Sequence, residues 1–562
     1  MKVTDRLAQA LSSKGISRVY GLQGGSVAHI FDSLEEVGIQ VKYVHHEESA
    51  AFAAMADSLT KTYVGTLVVT TGPAGTNAIT GVLGAWQDSL PLLVISGQTR
   101  SSHLSYGKQV RQYGSQEAPI LDLVKPITKA TYLVSKFDDI EEIIFDALEV
   151  CQEGRPGPVW IDIPIDVQLM TTDAVAKYTK VARTSKNTDG IELLKIELLN
   201  LVENLNNSKN PILILGGGTR NVFTQSSSSV NSMNNTGLPI ILTWTSSSLA
   251  SLFQNYQGIA GPFGHKSANL KLRESDLILA IGTNLGPNIL GNNVEYLDGK
   301  KIYFCNIDEE QIKFNEARFK CIGIKASSKE FFEEFFMANF RNKTLTDKKP
   351  STSGPWEDYR DCHAALLDTE SRRGLLHSHG VVELLTRSKV SNLVVDGGGT
   401  ALYSGFQAAH LENISQVVCA SAISSMGSAL AQSLTFDQKY DGTLVVIGDG
   451  SFFMALRDLV SLELNQKLII LIINNRGYLA IRHTQAAYLS NRFYGTFYDA
   501  SNQLPEIKPI AESLNFDYIP IRTVREIEKL DISKICRATI VEAFCDPTQS
   551  PMWPIAATKI VN

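Results

Sequence analysis

The chain has 562 residues, more than one hydrophobic core usually supports, so roughly two to four domains are expected. Hydrophobic content of 44% and charged content of 20% are those of an ordinary globular protein, and a net charge of −6 gives no electrostatic footprint for nucleic acid or an anionic membrane. The 7 cysteines are odd in number, scattered and never in a CxxC spacing, which argues against a disulfide framework and a zinc site and for free thiols in a reducing compartment.

Met1 to Ala10 reads as an amphipathic helix with Thr4 as its N-cap. It lacks the apolar core of a signal peptide, and no apolar run approaches membrane-spanning length, so a cytoplasmic protein without a membrane partner is expected. Up to about residue 170, short β-rich runs alternate with helical patterns, as in a mostly parallel α/β sheet. Gly21-Leu-Gln-Gly-Gly25-Ser26 follows the strand Arg18 to Tyr20 and opens a helical stretch. Val41 to Val44 leads through His45-His46-Glu47-Glu48-Ser49-Ala50 into an Ala-rich helix, which puts Glu47 at a strand-to-helix junction, where open sheets present functional groups. Glu48 reads as a solvated neighbour. Gly65-Thr-Leu-Val-Val69 runs into Thr70-Thr71-Gly72-Pro73-Ala74-Gly75-Thr76-Asn77 and a helix.

The polar stretch Thr171 to Asp189 suits a linker, and a second α/β region follows with strands at Pro211 to Leu215, Leu277 to Ile281 and Lys301 to Phe304. Its glycine run Gly216-Gly217-Gly218-Thr-Arg220 follows a strand but fails GxGxxG, because Asn221 stands at the last position. A second polar break, Asn342 to Pro355, precedes the last region. There the strand Thr443 to Ile447 ends in Gly448-Asp449-Gly450-Ser451, a helical segment follows, and the run Leu468 to Ile473 ends in Asn474-Asn475-Arg476-Gly477-Tyr478. Asp449 and Asn475 should therefore end adjacent parallel strands on one edge of a sheet, where glycines admit a phosphate and an anionic and an amide oxygen converge on a hard cation. Because Gly-Thr-Leu-Val-Val recurs at Gly65 and at Gly442, two similar α/β domains are expected.

GDGS followed by NN, in strand, helix, strand order, resembles the diphosphate motif of thiamine-diphosphate (ThDP) enzymes. His46-Glu47-x-x-Ala50 resembles their HExxA segment. The resemblance is to the acetolactate synthase and pyruvate decarboxylase superfamily and extends over nearly the whole chain. It implies an α/β protein of three doubly wound parallel-sheet domains: pyrimidine-binding at 1–170, central at 190–342 and diphosphate-binding at 356–562. By the same resemblance, the side chains of Asp449 and Asn475 and the carbonyl of Gly477 would bind Mg²⁺. Glu47 would hydrogen-bond the pyrimidine N1′, with Gln116 of the Tyr113 to Glu117 segment as a second catalytic residue. Gly25, Thr71, Asn77, Gly398, Gly399, Thr400, Ser425, Gly450, Ser451 and Tyr478 would contact ThDP, and Met426 would wedge it into its bent shape. The active site would lie between two subunits of a homodimer or homotetramer.

The resemblance further implies decarboxylation of a 2-oxo acid, pyruvate above all, and transfer of the two-carbon unit to a carbonyl acceptor. Ser115 and Thr484 stand where acetolactate synthases carry Phe and Trp, and Ile481 replaces the glutamate of pyruvate decarboxylases. This leaves room for a bulkier acceptor such as a nucleotide-linked 4-ketosugar, to which Arg482 or His483 could hydrogen-bond; the alternative is a second pyruvate, giving acetolactate. Gly217, Gly218, Thr243 and Asp308 fall where acetolactate synthases line an FAD site, so FAD stays open at the central domain as a structural group. A flavin-dependent oxidoreductase is the competing class, and the failed GxGxxG weighs against it.

Overall fold

A computed structural model describes residues 1–106, 108–135, 139–171, 188–342, 354–388, 390–436, 442–498, 504–550 and 552. Most of each stretch read as a linker, Thr171 to Asp189 and Asn342 to Pro355, lies outside the described residues. The described strands form three six-stranded parallel sheets, each flanked by helices. The first contains β1 (Arg18–Gly21), β2 (Gln40–Tyr43), β3 (Gly65–Val69), β4 (Leu92–Gln98), β5 (Ala130–Leu133) and β6 (Pro158–Pro164), in the order β2-β1-β3-β4-β6-β5. The second contains β7 (Pro211–Leu215), β8 (Ile240–Leu242), β9 (Tyr256–Ile259), β10 (Leu277–Ile281), β11 (Lys301–Asn306) and β12 (Ile322–Lys325), in the order β12-β11-β10-β7-β8-β9. The third contains β13 (Val390–Val395), β14 (Ile414–Val418), β15 (Thr443–Gly448), β16 (Leu468–Asn474), β17 (Asp517–Ile521) and β18 (Thr539–Phe544), in the order β14-β13-β15-β16-β18-β17.

The strand composition follows from position. β3, β4 and β6 are buried along their whole length, and β16 is buried up to its last residue, so the Val, Ile and Leu runs that β-propensity favours are covered on both faces. The edge strands β2 and β17 are partly exposed, and β2 is correspondingly polar. The first and third sheets share one topology, and the repeated Gly-Thr-Leu-Val-Val falls on β3 and at the start of β15, the third strand of each. In both, the chain reverses its winding between the first and third strands, so the crevice at their carboxyl ends is the place where doubly wound sheets bind ligands. The second sheet instead has the strand order of dinucleotide-binding domains.

Backbone proximity divides the chain into two compact units: Met1–Arg183 with Val418–Asp437 and Ser451–Leu464, and Thr184–Val417 with Gln438–Gly450 and Asn465–Asn562. In the first, Leu7, Ile30, Phe31, Ile95, Ile144 and Ile161 belong to one buried cluster; in the second, Ile212, Ile278, Leu285 and Phe304 belong to another. The first helix spans Val3–Ser13, capped at Lys2 rather than Thr4. The amide of Lys2 donates to Asp5 Oδ2 at 2.9 Å, while Thr4 is buried and accepts a hydrogen bond from Ser33 Oγ, so the helix starts a turn-fraction earlier than its Thr suggests. The cysteines are unpaired, and only Cys536 is exposed. Among the described residues, no helix is long and apolar enough to cross a membrane.

Candidate active site

In the first unit, the chain leaves β2 and enters the helix Glu47–Thr60 at its first residue, Glu47. The extended backbone of His46 caps this helix, its Nδ1 accepting from the Glu48 amide at 3.2 Å. Glu47 is buried, and its Oε2 accepts from Asn77 Nδ2 at 3.0 Å. Asn77 lies in the first turns of the helix Pro73–Gln87, which follows β3. A carboxylate is thus held out of bulk water at a helix N-terminus with a single amide donor fixing its orientation. Glu48 does not stand free in solvent: it pairs with Arg457, and the next residue, Ser49, donates to the buried Asp458 at 2.5 Å.

Thr71 sits at the carboxyl end of β3, the single proton of its hydroxyl shared between Gln98 Oε1 at 2.8 Å and the carbonyl of Gln116 at 3.1 Å. That contact holds Gln116 in a left-handed backbone conformation (φ +56°), unusual for a non-glycine residue. Glu117 closes the same loop, accepting from the amides of Ser105, Tyr113 and Gly114. Burial alone would raise its carboxyl, but these donors override it and hold the group at about 2. Gly25 and Ser115 are exposed. Ser425 and Met426 are half-buried in this unit, and Ser421, just before them, donates to Asp88 at 2.9 Å. Ser451 is buried, also in this unit.

The second unit carries the remaining predicted residues. β15 and β16 pair in parallel up to Gly448 and Ile473, so Asp449 and Asn475 follow on the same edge. Asp449 is buried at the start of the helix Asp449–Met454; it accepts from the Gly450 amide at 2.7 Å and the Gly477 amide at 2.9 Å. Burial nonetheless pushes its carboxyl up to about 6, against the pull of those amides. Asn475 Nδ2 donates to Thr400 Oγ1 at 3.1 Å, which ties the β16 end to the Gly398-Gly399-Thr400 turn after β13. Asn475 Oδ1 is buried without a hydrogen-bond partner. A side-chain Cβ at Gly450 would stand 2.6 Å from the Tyr478 ring, so the glycine is needed for that close approach. The donor set of carboxylate, unspent amide oxygen and backbone carbonyl suits a hard divalent cation that also takes ligand oxygens.

Arg482 and His483 each already bond backbone carbonyls of the chain. Arg482 is buried with its guanidinium on backbone carbonyls, and His483 Nε2 lies 3.0 Å from the Gln549 carbonyl. Thr484 is exposed, its hydroxyl turned to the Ala480 carbonyl at 3.3 Å, and Ile481 is exposed as well. Arg482, Gln98 and Arg457 are the site-adjacent residues that the sequence reading missed or misplaced. For Arg482 a signal exists: with Leu479 and Gln485 it occupies the buried stripe of the helix Leu479–Tyr488, where an arginine needs internal partners.

On the second sheet, Gly217, Gly218, Thr243 and Asp308 all follow carboxyl strand ends. A Cβ on Gly216 would meet the Gly282 carbonyl at 2.2 Å, one on Gly217 the Thr245 hydroxyl at 2.8 Å, and one on Gly218 the Gly282 Cα at 3.1 Å. The turn after β7 is thus packed against the chain's own neighbouring turns. Thr243 Oγ1 lies 3.1 Å from Thr245 Oγ1, and Asp308 caps the helix Glu309–Phe319.

Three family models match the chain in order. The N-terminal TPP binding domain of thiamine pyrophosphate enzymes matches residues 1–123, their central domain 198–335, and their C-terminal TPP binding domain 397–544. The acetolactate synthase large subunit of Haemophilus influenzae is 27% identical over 536 residues, 93% of this chain and 90% of that protein. The acetolactate synthase isozyme 3 large subunit of Escherichia coli is 26% identical over 545 residues, 93% of this chain and 90% of that protein. The acetolactate synthase of Mycobacterium bovis is 25% identical over 572 residues, 99% of this chain and 89% of that protein.

Proposed function

Because the chain belongs to the acetolactate-synthase-like superfamily of ThDP enzymes and is a ThDP-dependent carboligase, we propose that it decarboxylates pyruvate and transfers the two-carbon unit to a carbonyl acceptor. The observation that carries this reading is that Asp449 and Asn475 follow the ends of two paired parallel strands, with Asn475 Oδ1 buried and without a hydrogen-bond partner. When bound, ThDP supplies the ylid and the electron sink. Asp449, Asn475 and the Gly477 carbonyl would hold Mg²⁺, and Gly398, Gly399, Thr400, Gly450, Ser451 and Tyr478 would contact the cofactor. Glu47, fixed by Asn77, would exchange a proton with the cofactor's pyrimidine, and Met426 would support the cofactor from below. Gly25, Thr71 and Gln116 line the pyrimidine side, with Gln116 facing the substrate. The active site joins the pyrimidine domain of one subunit to the diphosphate domain of another, so the active form is a homo-oligomer, dimer or tetramer, in the cytoplasm. The domains divide at 1–170, 190–342 and 356–562.

The pyruvate carboxylate leaves as CO₂ and its two-carbon remainder adds to the acceptor carbonyl, so no external oxidant or reductant is needed. A second pyruvate as acceptor is supported by the acetolactate synthases among the relatives. A nucleotide-linked 4-ketosugar is supported by a different observation: Ser115 and Thr484 are small and exposed. Incubation with labelled pyruvate, ThDP and Mg²⁺, with and without such a sugar, separates the two by mass spectrometry of the products. Label as a two-carbon branch on the sugar supports the sugar acceptor; label in acetolactate alone overturns it. No labelled condensation product and no CO₂ would overturn the pyruvate reading. FAD at the second sheet is a structural group in this reading, and the visible spectrum of the purified protein tests for it.

A further inference from the structure

We propose that Arg482 is the positioning residue of the metal clamp, holding the turn Asn475-Arg476-Gly477 in the one shape that presents its ligands. This rests on the reading that Asp449, Asn475 and Gly477 hold the cation. Locally, the Arg476 amide donates to Asn474 Oδ1 at 3.2 Å. Arg476, between the two ligands, has a left-handed backbone (φ +57°), and Gly477 has φ +122°. An L side chain rarely adopts the first conformation unless its surroundings fix it.

Arg482 supplies those surroundings. Its Nη2 donates to the Asn475 carbonyl at 2.9 Å and to the Pro547 carbonyl at 2.9 Å. Its Nη1 donates to the Arg476 carbonyl at 3.1 Å and to the Thr496 carbonyl at 2.8 Å. The carbonyls on both sides of the left-handed residue are thus bound by one planar cation, while Phe497 lies under the guanidinium at 4.2 Å. The Thr496 carbonyl also accepts from the Tyr478 amide at 3.0 Å, and Gln485 holds the same segment through Thr496 Oγ1 and the Tyr494 carbonyl. A Cβ at Gly477 would stand 2.3 Å from the Thr496 carbonyl and 3.2 Å from Arg482 Nη1, so the guanidinium packs directly against the ligand-bearing backbone. With the Asn475 and Arg476 carbonyls engaged by Arg482, the unpartnered Asn475 side-chain oxygen remains for the cation, beside the Gly477 carbonyl, which accepts from the Leu479 amide at 3.2 Å and keeps a second lone pair.

The test is equilibrium dialysis of ThDP against the full-length protein at graded Mg²⁺ and, separately, Ca²⁺. Wild type, Arg482→Met, Arg482→Lys and Asp449→Ala are compared, with circular dichroism as the check on folding. A loosened turn should raise the half-saturating Mg²⁺ concentration for Arg482→Met by about tenfold or more, the equivalent of one charge-assisted hydrogen bond to the turn. It should also narrow the preference for Mg²⁺ over Ca²⁺, since the smaller ion demands stricter ligand geometry. Arg482→Lys should lie between, because an ammonium cannot span four carbonyls as the fork does. A role in stability alone would lower the melting temperature without moving the Mg²⁺/Ca²⁺ ratio. A folded Arg482→Met with wild-type half-saturation and ratio, beside an Asp449→Ala that loses ThDP, overturns the proposal and leaves the clamp standing. Undisturbed metal-dependent binding by Asp449→Ala overturns the clamp and the proposal together. If Arg482→Met does not fold, a wild-type ratio in Arg482→Lys overturns it.

Discussion

Glu47→Gln separates chemistry from architecture. The substitution keeps side-chain length and volume, and a glutamine carbonyl can take the hydrogen bond that Glu47 Oε2 accepts from Asn77 at 3.0 Å. The stability cost is then the difference between a charge-assisted and a neutral hydrogen bond, roughly 0.5–1.5 kcal/mol. What is lost is the exchangeable proton at a buried site, and general acid–base transfer contributes about 10²–10⁴-fold, or roughly 3–5 kcal/mol of barrier. The expected variant is folded, binds ThDP stoichiometrically, and releases CO₂ from labelled pyruvate at least about a hundredfold more slowly. Asn77→Ala is the companion: it keeps the carboxylate but frees its orientation, and should lose less activity than Glu47→Gln. The assay is initial CO₂ release at saturating ThDP and Mg²⁺, with bound ThDP counted by dialysis. A ThDP-loaded Glu47→Gln enzyme within about threefold of wild type would remove Glu47 from proton transfer.

Asp449→Ala deletes the only charged ligand of the clamp and should abolish Mg²⁺-dependent retention of ThDP on gel filtration; stoichiometric ThDP that survives chelation of the metal would refute it. Burial pushes Asp162 up to about 7, outweighing the donations from Ser96 and Gln98. Its folded pKa lies above the unfolded value, so the folded state binds the extra proton. Stability should therefore fall as pH rises from about 4 to about 7, by at most ~1.4 kcal/mol per pH unit, and level off above. Asp162→Asn should flatten that part of the melting profile, and parallel profiles for the two proteins would contradict the assignment. Glu117→Gln should speed hydrogen exchange at the amides of Ser105, Tyr113 and Gly114 while leaving the β3 and β4 amides protected; unchanged exchange in the loop would mean that Glu117 does not hold it closed.

What could be read in the sequence was local. β3, β7 and β10 coincide with the runs Gly65 to Val69, Pro211 to Leu215 and Leu277 to Ile281. β7 and β10 are unbroken apolar segments bounded by turn residues, and β3 ends in one, Leu67-Val68-Val69; a fully buried parallel strand leaves just that trace. Asp449 and Asn475 were legible for the same reason, because each ends such a strand and adjacent parallel strands align their ends. Partners supplied from far along the chain left no such trace. Arg482 looks like any arginine near a helix surface until Thr496 and Pro547 bring their carbonyls to it. Glu48 looks solvated until Arg457 arrives, and Thr4 looks like a cap until Ser33 Oγ comes within 2.9 Å of its hydroxyl. In each case the deciding atom is a hydrogen-bond partner whose location depends on tertiary structure, which hydrophobic periodicity does not encode.

The glycine runs show what such a motif does and does not specify. Gly450 admits the Tyr478 ring, and Gly216 and Gly218 admit the turn at Gly282; in both places glycine answers a close approach, whoever the neighbour is. The polar atoms around the glycines differ between the two edges. On the third sheet Asn475 Oδ1 is buried and unspent, so that edge is short of a partner. On the second sheet, Thr243 Oγ1 is within hydrogen-bond distance of Thr245 and Ser246. Asn306 donates to the Thr283 carbonyl and accepts from the Asp308 amide, and Asp308 accepts from the amides of Glu310 and Gln311. A flavin seated against these side chains would have to replace bonds they already make, whereas a cation beside Asn475 would satisfy an oxygen that has none. The cost of leaving a buried polar atom unpaired, about 1–3 kcal/mol, favours a ligand beside Asn475 Oδ1.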